Sequence, residues 1–159
     1  MYIVLFLLLI CTASVQSWNW QTDTWYALSY PLTVNQTLTI GVHPHGKTDF
    51  GIDYEGEDGV VMFHMHCYYD VNEDFHDVVL ADRGIQKMNV SSIYRTVYVK
   101  DLYPNEENVF SIKYEKANQI HASINGYQFT WFVNLLPGKD IIGFNTVMSP
   151  NITFLHHDS

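Results

Sequence analysis

The sequence predicts one all-β domain, a two-sheet antiparallel β-sandwich of jelly-roll type, and three observations carry that expectation. Aromatic residues make up 15% of the chain, and they alternate with Val, Ile and Thr in short runs, the vocabulary of strands on a pleated surface. Pro, Gly, Asn and Asp break these runs every few residues, which is the turn spacing of sandwiches and barrels. No stretch carries an i, i+3, i+4, i+7 apolar stripe, so no long helix is expected. A closed barrel with a ligand cavity is the other architecture the pattern permits.

Taken in order, residues 1–17 contain no Lys, Arg, Asp or Glu, and Tyr2 to Cys11 form an apolar run that closes on Thr12-Ala13-Ser14-Val15-Gln16-Ser17. The run is shorter than the roughly 20 residues a membrane helix needs, and Val15 and Ser17 suit a signal peptidase. We expect a signal peptide at 1–17, a secreted, extracellular domain at 18–159, and no membrane insertion after cleavage. Trp18 to Tyr30 holds three of the four tryptophans, and reads either as an edge strand or as an exposed aromatic patch. Candidate strands follow at Thr37 to Val42, Asp49 to Tyr54, Val60 to Tyr69, Asp77 to Asp82, Ile93 to Lys100, Asn108 to Glu115, Gln119 to Asn125, Gln128 to Val133, Asp140 to Val147 and Ile152 to His156. Gly56-Glu57-Asp58-Gly59 and Asn125-Gly126 are the strongest turns, the second favouring a type I′ hairpin.

Cys11 leaves with the leader, so Cys67 stands alone in the mature chain and no intrachain disulfide can form. The apolar strand around Cys67 predicts a buried, inert thiol. Asn35, Asn89 and Asn151 each begin an Asn-x-Ser/Thr sequon, the glycosylation sites expected of a secreted chain. The net charge of −9 with scattered Lys and Arg excludes nucleic acid and anionic membrane as partners, because both need clustered positive charge.

The segment Phe110-Ser111-Ile112-Lys113-Tyr114-Glu115-Lys116-Ala117-Asn118-Gln119-Ile120-His121-Ala122-Ser123-Ile124-Asn125-Gly126-Tyr127-Gln128-Phe129 resembles the galectin family of galactoside-binding lectins. The match is a Phe, an alternating strand, a short turn, a second strand, and Asn-Gly before an aromatic hairpin. Pro31 to Val42, Asp49 to Tyr54, Val60 to Tyr69, Asp140 to Phe144 and Ile152 to Leu155 follow the family's strands in order. The resemblance implies a carbohydrate or glycoprotein ligand, a galactoside in the family's usual form, bound by His-x-Asn-x-Arg on one strand, an Asn on the next, and a Trp with a Glu/Arg pair. Here His64 falls on the family's His, His66 on its Asn and Tyr68 on its Arg. The next strand offers Ala81 or Asp82 for the Asn, and Met88 and Tyr94 lie where Trp-Gly-x-Glu-x-Arg is absent.

Residues 64, 66 and 68 alternate and so share one face of a strand. The carbohydrate-binding set implied is His64, His66, Tyr68 and Asp82, a degenerate galactoside site, because Tyr68 lacks the planar fork of an Arg. Family members typically leave cells without a leader, a second departure. The alternative, from a different class, is a sandwich that has lost sugar binding and engages a protein partner.

Other chemistries are weaker. His43-x-His45 and His64-x-His66 invite zinc, which needs three or four converging ligands, and solvated or hydrogen-bonded histidines are the simpler reading. The carboxylates Asp53, Glu55, Glu57, Asp58, Asp70, Glu73, Asp74 and Asp77 read as solvated loop tips rather than a glycosidase pair. Gly-x-Ser-x-Gly is missing, as is the calcium-loop spacing. Neither an enzyme nor a cofactor or metal site is expected.

Overall fold

The computed structural model describes residues 22–69, 76–81, 94–116, 119–132 and 140–158. Its elements in chain order are β1 (Thr22–Leu32), β2 (Thr37–His43), β3 (Asp49–Gly56), β4 (Val61–Tyr68), β5 (His76–Ala81), β6 (Tyr94–Val99), β7 (Asn108–Lys116), β8 (Gln119–Ile124), β9 (Tyr127–Phe132), β10 (Ile141–Val147) and β11 (Asn151–His157). A 3₁₀ turn at Glu57–Gly59 occupies the expected Gly-rich turn. Strands β2 to β11 lie within two residues of their expected bounds, because period-2 alternation fixes a strand's middle while its ends depend on neighbours.

All pairings are antiparallel. One sheet, A, has the order β1-β10-β3-β4-β5-β6, and the other, B, has the order β11-β2-β7-β8-β9. Neither closes on itself among the described residues, so the architecture is the sandwich and not the barrel. The core lies between them: Phe50, Ile52 and Tyr54 of β3 with Phe63, Met65 and Cys67 of β4 meet Leu38, Ile40 and Val42 of β2 with Phe110, Ile112 and Tyr114 of β7. Phe50 and Phe110 touch edge to face across the sheets at 5.6 Å, the arrangement that aligns a positive ring edge with a negative ring face. Each such side chain moved from water stabilises the fold by roughly 1.5–3 kcal/mol.

The ambiguity over the tryptophan-rich segment resolves in both directions. Within it β1 is an edge strand paired with β10, and Trp25 and Tyr30 on it remain partly exposed. The Asn125-Gly126 hairpin joins β8 to β9 with positive φ at both residues, 48° and 85°, as a type I′ turn demands. Cys67 is buried and is the free cysteine among the described residues; burial pushes its thiol well above the usual range, which keeps it an unreactive thiol.

One buried polar hub ties the end of the sandwich together. Asn108 accepts from the Tyr103 backbone N–H at 2.8 Å and from Asn125 Nδ2 at 2.9 Å, and it donates to the carbonyls of Tyr103 at 2.7 Å and Glu106 at 3.2 Å. Asn125 in turn accepts from the Val109 N–H at 2.7 Å, so the hairpin turn and the loop before β7 are fixed as one unit.

Candidate functional site

The side of sheet A turned away from the core is built chiefly by β3, β4 and β10. In β4, Phe63, Met65 and Cys67 fill the core, which by alternation sends His64, His66 and Tyr68 to the opposite face. The three rings run along the strand in sequence, with centroids 5.7 Å apart for His64 and His66 and 4.5 Å for His66 and Tyr68. The predicted column of side chains is therefore present. Its setting is different from an open groove: His64 is 1% and His66 3% exposed, and only Tyr68 is partly accessible.

The neighbouring strand explains this. In register, Asp53 faces His64, Gly51 faces His66 and Asp49 faces Tyr68. The carboxylate of Asp53, itself 0% exposed, accepts a hydrogen bond from Nδ1 of His64. That contact orients the imidazole and directs Nε2 away from the carboxylate. A Cβ at Gly51 would lie 2.8 Å from His66 Nδ1 and 3.2 Å from His64 Cε1, so the absence of a side chain there is what allows both rings to lean across β3. On β10, Asn145 pairs in register with Asp53 and donates through Nδ2 to Glu55. Burial, followed by the charge of Asp49, pushes the Tyr68 phenol up to about 12, so Tyr68 is a neutral hydroxyl that both donates and accepts.

Asp53 and Glu55 thus correct the reading of these carboxylates as loop tips. Both stand within β3, and Asp53 is a buried partner of histidine. The signal was available in Asp49-Phe50-Gly51-Ile52-Asp53-Tyr54-Glu55, whose polar positions share one parity, but charged residues beside Gly were read as turn. Asn145 carried no signal of its own, since its role depends on β10 lying beside β3, a pairing across 90 residues of sequence. Glu57 is exposed at the 3₁₀ turn and Asp77 on β5; positions 70, 73 and 74 lie outside the described residues.

Asp82 also lies outside the described residues, one position past the end of β5, where Ala81 pairs with His64. Of the sequons, Asn35 is exposed in the β1–β2 turn with φ 72° and Asn151 is exposed at the start of β11, while Asn89 is outside the described residues. His43 and His45 lie with ring centroids 4.2 Å apart, and the His45 N–H donates to His43 Nδ1 at 3.1 Å. Among the described residues no group of three His, Cys, Asp or Glu side chains converges as a metal site.

The arrangement supplies a column of rings, hydroxyl and imidazole hydrogen-bonding groups, and two carboxylates already engaged. Such a set suits reversible recognition of a polar ligand, and it holds no activated nucleophile among the groups described.

No protein-family model matches the sequence, and no curated protein matches it. Solved structures do match in fold. Galectin-Ib of Xenopus laevis superposes with a TM-score of 0.70 at 12% identity, over 85% of this chain and 100% of that one. The toad ovary galectin, solved in complex with thio-digalactose, gives 0.66 at 13% identity over 83% and 96%. The Caenorhabditis elegans galectin LEC-6 gives 0.62 at 12% identity over 87% and 92%.

Proposed function

We propose that this chain, which has the galectin fold, is a secreted carbohydrate-binding protein whose galactoside site is degenerate, with His64, His66 and Tyr68 of β4 and Asp82 beyond β5 as its binding side chains. The observation that carries the reading is the column of three rings on the face of β4 turned from the core, oriented from below by Asp53 and Gly51. Tyr68, the accessible member, presents a ring for the apolar face of a sugar and a hydroxyl for its substituents. The toad ovary galectin binds thio-digalactose and congerin II is a lactose-liganded neighbour at 16% identity, which supports sugar as the ligand class. Binding is an equilibrium with no bond made or broken. The apolar leader at 1–17 supports secretion, and the exposure of Asn35 and Asn151 supports their glycosylation.

A glycan-array screen of the secreted protein, with and without competing lactose, tests this. Lactose-sensitive binding, or binding to other glycans that is lost in Tyr68→Ala, is the expected result; no binding by folded protein refutes it. The burial of His64 and His66 favours one second reading, a sandwich that engages a protein partner, and a null array result together with recovery of a stoichiometric complex would establish it.

A further inference from the structure

The outward face of sheet B carries a second polar site that the β4 face does not involve. Its depression, about 360 Å³ in volume, is lined by Ser111, Lys113 and Glu115 of β7, His121 and Ser123 of β8, and Gln128 of β9. The size reaches the lower end of small-ligand pockets, roughly 300–1,000 Å³.

Register explains why these groups gather. Ser111 pairs with Ser123 and Lys113 with His121, while Ser123 pairs with Gln128 and His121 with Thr130. Two rows of hydrogen-bonding side chains therefore cross three adjacent strands on the same face. Ile112, Ile120 and Ile124, at the intervening positions, fill the core instead. The interior of the sandwich thus separates this face from that of His64.

His121 is the fixed centre of the depression. Its Nε2 donates to the Glu115 carboxylate and its Nδ1 accepts from the Thr130 hydroxyl at 3.2 Å. The imidazole is held by side chains from β7 and β9 before any ligand arrives, which reduces the ordering cost of binding.

We propose that this depression binds a neutral, polyhydroxylated ligand of monosaccharide to disaccharide size. The charge balance selects the class. Lys113 and Glu115 oppose each other within the site, so neither an anion nor a cation meets a uniform field, and the net charge of −9 disfavours anions further. β7 and β8, which carry most of the lining, are paired along both edges, so an extended peptide could add a strand only at β9, beside the depression and not in it. The Ser123 hydroxyl and the Gln128 amide remain, beside a Ser111 hydroxyl that shares a hydrogen bond with Thr39 at 3.2 Å, and they both donate and accept, as do the hydroxyls of a sugar. No Phe, Tyr or Trp lines the depression, so specificity rests chiefly on hydrogen bonds and affinity is modest.

The test is backbone-amide NMR of the full ¹⁵N-labelled chain, titrated separately with lactose, maltose and cellobiose. Saturable shifts at Ser111, Lys113, His121, Ser123 and Gln128 with at least one of the three are expected. Removing one hydrogen-bonding group, as in Ser123→Ala or Gln128→Ala, should weaken that binding about threefold to tenfold. Filling the depression with Ser111→Trp should abolish it. The proposal is overturned if none of the three disaccharides shifts these amides saturably, or if the Ser123→Ala and Gln128→Ala spectra are folded and bind unchanged. Shifts confined to residues 64–68 would report the face of β4 alone, so this site and that one fail separately.

Discussion

Replacing Gly51 by alanine adds one methyl group at the point where β3 passes beneath the two buried imidazoles. The new Cβ would stand 2.8 Å from His66 Nδ1, 3.2 Å from His64 Cε1 and 3.3 Å from the Met65 carbonyl oxygen. Backbone conformation does not oppose the change, since φ at Gly51 lies outside the left-handed region, and an alanine there restricts the unfolded chain, a gain of about 0.4–1 kcal/mol. Burying the methyl contributes about 0.8 kcal/mol more. Against these stands overpacking, typically about 1–3 kcal/mol, and here at the upper end, because His66 is 3% exposed and cannot swing into water. We expect a net loss of about 1 kcal/mol, read as a fall in Tm of about 2–4 °C for a chain of this size. Both rings must move, so affinity at the β4 face should fall about tenfold while every ligand-contacting side chain is retained. Gly126→Ala is the control: φ is +85° with nothing within 4 Å of an added Cβ, so it should cost about 1–2 kcal/mol through the backbone and leave binding unchanged. Calorimetric melting and glycan titration of the two variants decide the matter. A Gly51→Ala protein that melts and binds like the parent would refute the claim that a missing side chain seats the histidines.

Three further outcomes follow from the same geometry. Asn108→Ala removes a side chain that accepts two and donates two hydrogen bonds at 3.2 Å or less; with the exposed Tyr103 free to recruit water, the loss should be about 2–3 kcal/mol in urea unfolding, and a loss below about 0.5 kcal/mol would show that the hub is ornamental. Asp53→Ala deletes the carboxylate under His64, an interaction wholly inside the protein, and should cost about 3 kcal/mol, with part recovered when His64→Leu is added; strictly additive losses in the double-mutant cycle would sink the coupling. Stability should decline as pH rises above 10 toward 12, because the Tyr68 phenol keeps its proton in the folded state up to about 12 against 10.0 unfolded. The folded state then binds more protons than the unfolded one across that window, so stability is full below it and lost through it. A Tyr68→Phe variant should show a shallower alkaline decline in melting temperature, and an identical decline counts against the assignment.

What the sequence disclosed was set by range. Alternation is local, so the strands from β2 to β11 and the type I′ turn at Asn125-Gly126 were legible, as was the common face of His64, His66 and Tyr68. Partners across strands are not local. Asp53 beneath His64 and Asn145 beside Glu55 depend on which strand lies next to which, and a single chain of letters does not state that. The burial of the histidines escaped for the same reason: His-x-His on a strand specifies a side of the sheet, and the packing against that side decides how much water reaches it. The outward depression of sheet B was hidden in the segment that carried the family resemblance, where Ser111, Lys113, His121 and Ser123 were read for their alternation and not for their chemistry.

The position of β10 has a consequence for how the chain comes to be folded. It lies between β1 and β3, so those two strands, close in the sequence, never pair with each other and sheet A stays divided until residues 141–147 have been synthesised. On a ribosome or in a translocation channel, the early strands must wait with open edges for a segment that arrives almost last. Long-range pairings of this kind slow folding and leave exposed edges open to association.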